Sequence, residues 1–240
     1  MKITFEIYYH TRWGESLFLS GDIDELGANE DNRAVMMDYQ GDGLWKYTME
    51  LPASAKKFHY EYLVKSGEGI RREWGSPHSF SPGKNAGEYR LVDRWRDVPA
   101  DLPFYSSAFI QGIFFRQHAD SVVETIEPGT LTVKVDASQL RPDERLVMVG
   151  DCPELGDWDV LKAPLLNDSA FPEWQITLDG KQLKFPFEYK FVIVRTHQRE
   201  VVAWETGENR ICREKPQNPS EAVVVSGLRF NGSESQWRGA

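Results

Sequence analysis

The chain repeats itself, and the repeat fixes what it can fold into. Gly21-Asp22 matches Gly150-Asp151, and Glu25-Leu26-Gly27 matches Glu154-Leu155-Gly156, both at an offset of 129 residues. The same offset carries Ala34 onto Ala163 and Trp45 onto Trp174. Further along, Glu61-Tyr62 meets Glu188-Tyr189 at 127 and Trp74 meets Trp204 at 130. A register that drifts so little is a duplication. Its period far exceeds the ~20–50 residues of a solenoid unit, so each copy is expected to be a whole domain. A length of 240 residues suits two domains of ordinary size.

Both copies read as β. Ile3, Phe5, Ile7 and Tyr9 alternate with more polar neighbours, as do Leu131, Val133 and Val135 in the second copy. Trp45, Tyr47, Met49 and Leu51 repeat the period of two, and so do Phe58 to Val64 and Phe187 to Ile193. That period puts one set of side chains on one face of a sheet. Short strands separated by Gly, Pro, Asn and Asp clusters predict an all-β chain in which each copy is an antiparallel sandwich or barrel. The expected boundaries are 1–97 for the first copy, 98–127 for a connector, 128–231 for the second copy and 232–240 for a tail. The connector holds Phe104, Tyr105, Phe109, Ile113, Phe114 and Phe115, too apolar for a free linker, and is expected to pack on a domain or form a dimer.

Several function classes drop out. A formal net charge of −9 argues against nucleic acid or an anionic membrane as the main partner. The opening MKITFEIYYHTRW lacks the apolar run of roughly 7–15 residues that a secretory signal needs. No stretch approaches the ~20 apolar residues of a transmembrane helix, so a cytoplasmic location is expected. Cys152 and Cys212 form no ligand pattern and read as ordinary thiols, and the five histidines stand far apart. There is no nucleophile elbow, no phosphate-binding glycine loop and no HExxH. No catalytic residue, metal or cofactor is expected.

The aromatic residues carry the remaining signal. Trp45 and Trp174, at equivalent alternating positions, read as core anchors. Trp158 follows a Leu-Gly turn between Asp157 and Asp159, and Trp204 precedes Glu205, Asn209 and Arg210. Large rings beside turns and polar neighbours tend to be exposed and to mark binding sites.

In the second copy, VGDCPELGDWDVLKAPLL, then Trp174, FEYKF and AWETGENR together resemble the starch-binding domain, carbohydrate-binding module family 20. The first copy resembles it more loosely, through SGDIDELG, LWKYTMELP, YEYLV and REWGSP. The resemblance implies an all-β chain of two antiparallel, immunoglobulin-like β-sandwiches in tandem, with a glucan site in the second copy built from Trp158, Lys190, Trp204 and Asn209 and with Glu205 as a further acceptor. Two indole planes set at an angle suit the apolar faces of a curving α-1,4-glucan, and Lys190 and Asn209 would bond the ring hydroxyls.

The first copy has no Trp after Leu26-Gly27 and aligns Leu63 with the lysine, although Trp74 remains. The family's second glucan site maps there onto Trp13 and Tyr39. In the second copy Pro142 falls near the first of these positions. The copies are expected to divide the work.

Tandem modules of this kind resemble the front of amylomaltase-type 4-α-glucanotransferases of glycoside hydrolase family 77. The ending SQWRGA is similar to the start of that catalytic domain. The resemblance therefore implies a non-catalytic chain that partners α-glucan or maltooligosaccharide beside a catalytic domain beyond residue 240. The alternatives are a targeting module of a glucan phosphatase or dikinase, and a protein–protein interaction pair.

Overall fold

The computed structural model describes residues 1–83, 87–97 and 126–232. These fall into two compact units, residues 1–97 with 126–128 and residues 129–232. Residues 98–125 of the connector and 233–240 of the tail lie outside the described residues, and with them the expected dimer surface and the SQWRGA ending.

In the first unit, β1 (Lys2–Tyr8) lies between β5 (Leu44–Glu50) and β9 (Glu88–Arg94), and β4 (Asp38–Gly41) extends the sheet past β5. The facing sheet joins β3 (Val35–Met36), β2 (Ser16–Gly21) and β6 (Phe58–Ser66). Both β7 (Gly69–Arg72) and β8 (His78–Phe80) pair with β6.

The second unit repeats the plan. β10 (Thr130–Asp136) lies between β13 (Glu173–Asp179) and β17 (Glu221–Arg229), with β12 (Asn167–Ala170) beyond β13. Opposite, β14 (Phe187–Arg195) pairs with β11 (Glu144–Gly150), β15 (Val201–Trp204) and β16 (Arg210–Cys212). These are two β-sandwiches in tandem. One pairing in each departs from the antiparallel pattern, because β1 runs parallel to β9 and β10 parallel to β17. A period of two does not encode strand direction.

The alternating apolar residues meet between the sheets. Phe5 of β1 packs edge-on against Tyr60 of β6 at 5.0 Å between ring centres. The Tyr60 and Tyr62 hydroxyls donate to Asp93 of β9 at 2.9 and 2.6 Å. Trp45 and Trp174 are buried core anchors, as their alternation predicts. Their indole N–H groups donate to the carbonyls of Tyr9 and Ala137, which satisfies the one polar atom each ring buries.

Strand register corrects the middle of the repeat. Gly21 pairs with Tyr60 and Gly150 with Tyr189, so Tyr60 and Tyr189 are equivalent. Glu61, and not Leu63, therefore stands where Lys190 does. Leu63 pairs with Arg72 and Val192 with Trp204, so Arg72, and not Trp74, occupies the Trp204 position. Hydrogen bonds agree: Asp22 Oδ1 accepts from His59 N at 2.8 Å, as Asp151 Oδ1 accepts from Glu188 N at 2.9 Å. The alignment at 127 is slipped by two residues, and a two-residue slip leaves every side chain on its original face.

Candidate functional site

The second unit builds its site on the outer face of β11, β14 and β15. Residues 188, 190 and 192 of β14 share one face by alternation. Val192 packs there with Val147, Val149, Val160, Ala163 and Val194 under the loop that follows β11, and Trp158 lies against this cluster. Trp204 is directly opposite Val192, on the same face, and is 42% exposed. Trp158 thus packs on an apolar cluster of which Trp204's cross-strand partner, Val192, is a member.

The loop that displays Trp158 is shaped by its backbone. A 3-10 turn at Pro153–Leu155 ends at Gly156, whose φ is 81°. A Cβ there would approach the Asp159 carbonyl oxygen at 2.7 Å, so only Gly fits. Asp157 and Trp158 are also left-handed, at φ 49° and 65°, and Trp158 N donates to the Gly150 carbonyl at 2.8 Å. A bulky residue with positive φ is a genuine outlier, and such strain persists where the surroundings impose it. The first unit carries the same backbone with different side chains. Gly27, Ala28 and Asn29 have φ 86°, 52° and 63°, and Asn29 N donates to the Gly21 carbonyl at 2.7 Å.

Lys190 and Asn209 are two predicted polar members. Lys190 Nζ donates to the carbonyls of Glu205 and Gly207 at 3.1 and 2.7 Å, so two of its three donors hold the loop between Trp204 and Asn209. Asn209 Nδ2 donates to Glu188 Oε2 at 2.8 Å, which turns the amide oxygen away from that carboxylate. Sequence reasoning missed Glu188, although period two sets it on the Lys190 face. Glu205 does not join the site. It is 4% exposed, accepts from Phe191 N at 2.9 Å and pairs with Arg210 Nε at 2.9 Å. Burial raises its carboxyl, and Arg210 only partly offsets that. Its role is structural, because the residue after an outward-facing Trp204 points inward.

In the first unit the equivalent face has lost the platform. Asn29 replaces Trp158, and Arg72 replaces Trp204 and pairs with Glu61 and Asp31. Trp74 is half-buried at the position of Thr206, and its backbone N donates to the Arg96 carbonyl at 2.8 Å. It is not the counterpart of Trp204. His78 is buried, 3.0 Å from Glu73, in the place that Arg210 takes beside Glu205.

The other predicted pair lies elsewhere in that unit. Trp13 is fully exposed on the turn before β2. Tyr39 of β4 is 56% exposed, with its ring 5.1 Å from Trp45 and its hydroxyl accepting from Gly43 N at 3.3 Å. Tyr9 N donates to the Gly43 carbonyl at 2.7 Å, so the segment leading to Trp13 is tied to the Tyr39 hairpin. The second unit has Pro142 and Asp168 at these two places.

A family model described as the starch binding domain matches residues 1–86 and 130–223. The chain belongs to the starch-binding domain family. Each starch-binding domain is matched separately, as a duplicated chain requires. A 4-alpha-glucanotransferase, DPE2, of Oryza sativa subsp. japonica is 28% identical over 266 residues, covering 100% of this chain and 27% of the relative. The AA13 family lytic polysaccharide monooxygenase A of Aspergillus terreus is 34% identical over 73 residues, 29% of this chain and 18% of the relative. The chain thus spans about a quarter or less of the curated relatives it matches. Among solved structures, the family 20 module of a maltotetraose-forming amylase from Pseudomonas saccharophila STB07 shares 19% identity. That likeness covers 39% of this chain and 98% of the other, with a TM-score of 0.33.

Proposed function

We propose that the chain is a non-catalytic pair of α-1,4-glucan-binding domains that holds polysaccharide for a 4-α-glucanotransferase catalytic domain in the same polypeptide. The second domain binds through Trp158 and Trp204, with Lys190, Asn209 and Glu188 at the rim. The first binds through Trp13 and Tyr39. What supports this reading is that Trp158 packs on the cluster containing Val192 and Trp204 stands opposite Val192 in the sheet. Aromatic faces with a few polar groups at the edge suit a neutral sugar whose ring faces are apolar. Cys152 and Cys212 are buried and not joined in a disulfide, in keeping with a cytoplasmic setting, which is part of the proposal.

A shallow site of this kind binds at about micromolar to millimolar Kd, and linkage of two sites on one chain adds avidity for a polymer. Calorimetric titration with β-cyclodextrin tests the reading. Binding should weaken sharply in Trp158→Ala/Trp204→Ala, and the Trp13→Ala variant should remove a second, independent site. A folded chain that gives no heat at millimolar ligand would end the proposal.

A further inference from the structure

Trp13 is 103% exposed, so no packing fixes its ring, and its position rests on the backbone. Glu15 N donates to the Arg12 carbonyl at 3.0 Å, closing a β-turn in which Gly14 holds φ 84° in third place, as a type II turn requires. Arg12 N donates to Glu15 Oε2 at 2.9 Å. The second unit repeats this cap at Arg141 and Glu144, where Arg141 N donates to Glu144 Oε2 at 2.8 Å. The cap is therefore common to both copies.

Arg71 of β7 adds a second tier in the first unit. Its guanidinium donates to the Tyr9 hydroxyl and lies 3.5 Å from Glu15 Oε1. It also sits 5.5 Å from the ring centres of both Tyr9 and Trp95, which are 4.6 Å from each other. Tyr9 N is bonded to Gly43, and its carbonyl accepts from Trp45 Nε1 at 3.0 Å. Arg71 thus connects the cap beneath Trp13 to the hairpin that carries Tyr39. An exposed ion pair alone contributes little. A guanidinium held by a hydrogen bond, a carboxylate and two ring faces has few positions left to it.

The second unit has none of this tier. By strand register, Ala203 stands at the place of Arg71, Ala137 at that of Tyr9 and Phe230 at that of Trp95. That copy also lacks Trp13 and Tyr39. The clamp and the aromatic pair occur together.

We infer that Arg71 is a positioning residue of the Trp13/Tyr39 glucan site, fixing the Trp13 turn against the Tyr39 hairpin so that one glucan lies on both rings. The inference rests on the reading of Trp13 and Tyr39 as a glucan site. The test is β-cyclodextrin titration in the Trp158→Ala/Trp204→Ala background, where the first site alone remains. Arg71→Gln should weaken that binding by about tenfold, and Arg71→Lys, which keeps a cation over the rings, should restore most of it. In the chain with Trp158 and Trp204 intact, Arg71→Gln should leave the second site's affinity unchanged.

Full binding by Arg71→Gln beside lost binding by Trp13→Ala would overturn the role of Arg71 and leave the site standing. Full binding by Trp13→Ala would overturn the site and the inference with it. A loss in Arg71→Gln that Arg71→Lys does not restore, together with a lowered melting temperature of the first unit, would mark Arg71 as merely structural and overturn the inference.

Discussion

Replacing Trp158 by asparagine and, separately, by alanine divides the strain of the loop from the work of its ring. Trp158 holds φ 65°, a conformation that costs an ordinary residue about 1–2 kcal/mol and asparagine less. Both variants lose the indole and its packing on the Val192 cluster. They differ mainly in tolerance of the left-handed backbone. Asparagine at this place has a precedent in the same chain, because Asn29 sits at φ 63° on the equivalent backbone of the first unit. The Trp158→Asn chain should therefore be about 1 kcal/mol more stable than Trp158→Ala. For a domain of ~100 residues this raises the melting temperature by roughly 4–8 °C. Scanning calorimetry on the second unit's transition measures it, while both variants should have lost β-cyclodextrin binding at that site equally. Asn29→Ala is the mirror experiment and should destabilise the first unit by about 1 kcal/mol. Equal melting of the two Trp158 variants, with Asn29→Ala neutral, would refute the argument.

Three further outcomes are expected. Burial pushes the Glu73 carboxyl up, but His78 and Arg96 outweigh it and hold it below its ordinary value of 4.5. Its contribution is present above that value and lost as pH falls, so Glu73→Gln should flatten the acid side of the first unit's stability curve. Burial shifts the Glu205 carboxyl upward and Arg210 only partly opposes it, so this group favours the folded state less as pH rises past its ordinary value of 4.5. Glu205→Gln should remove that slope, and urea titrations on both sides of the ordinary carboxyl value of 4.5 read the two effects, Glu73 below it and Glu205 above it. Lys190→Met deprives the Glu205 and Gly207 carbonyls of their donor, and should cost about 1 kcal/mol of stability and lower glucan affinity at the second site. Asn29→Trp/Glu61→Lys/Arg72→Trp places the second unit's platform on the first, and calorimetric stoichiometry should rise by one β-cyclodextrin per chain.

The duplication, the all-β class and the core role of Trp45 and Trp174 were legible because each leaves a mark in the order of residues. So was the turn before Trp158, which Leu155-Gly156 marks, although the expected exposure of the ring was not met: Trp158 is half-buried against the Val192 cluster. The site's supporting contacts were harder to read. The slip between Glu61-Tyr62 and Glu188-Tyr189 kept the alternation intact, so only hydrogen-bonded register exposed Arg72 as the residue opposite Leu63. Glu205 looked like a sugar ligand by composition and proximity. Alternation turns it to the face opposite Trp204, where it meets Arg210, so its direction could have been read once Trp204 was set outward. The parallel pairing of β1 with β9 joins residues far apart in sequence, and no local pattern records it.

The left-handed loop after β2 and β11 has one geometry and two occupants. Glycine and the backbone bonds set its path, so the residue at its apex takes the same place on the domain whatever its chemistry. That makes positions 29 and 158 a socket and not a finished site. A single exchange at the apex alters what the surface recognises while leaving the sandwich beneath untouched. A chain with two such sockets is free to keep an aromatic ring in one while the other takes on different work.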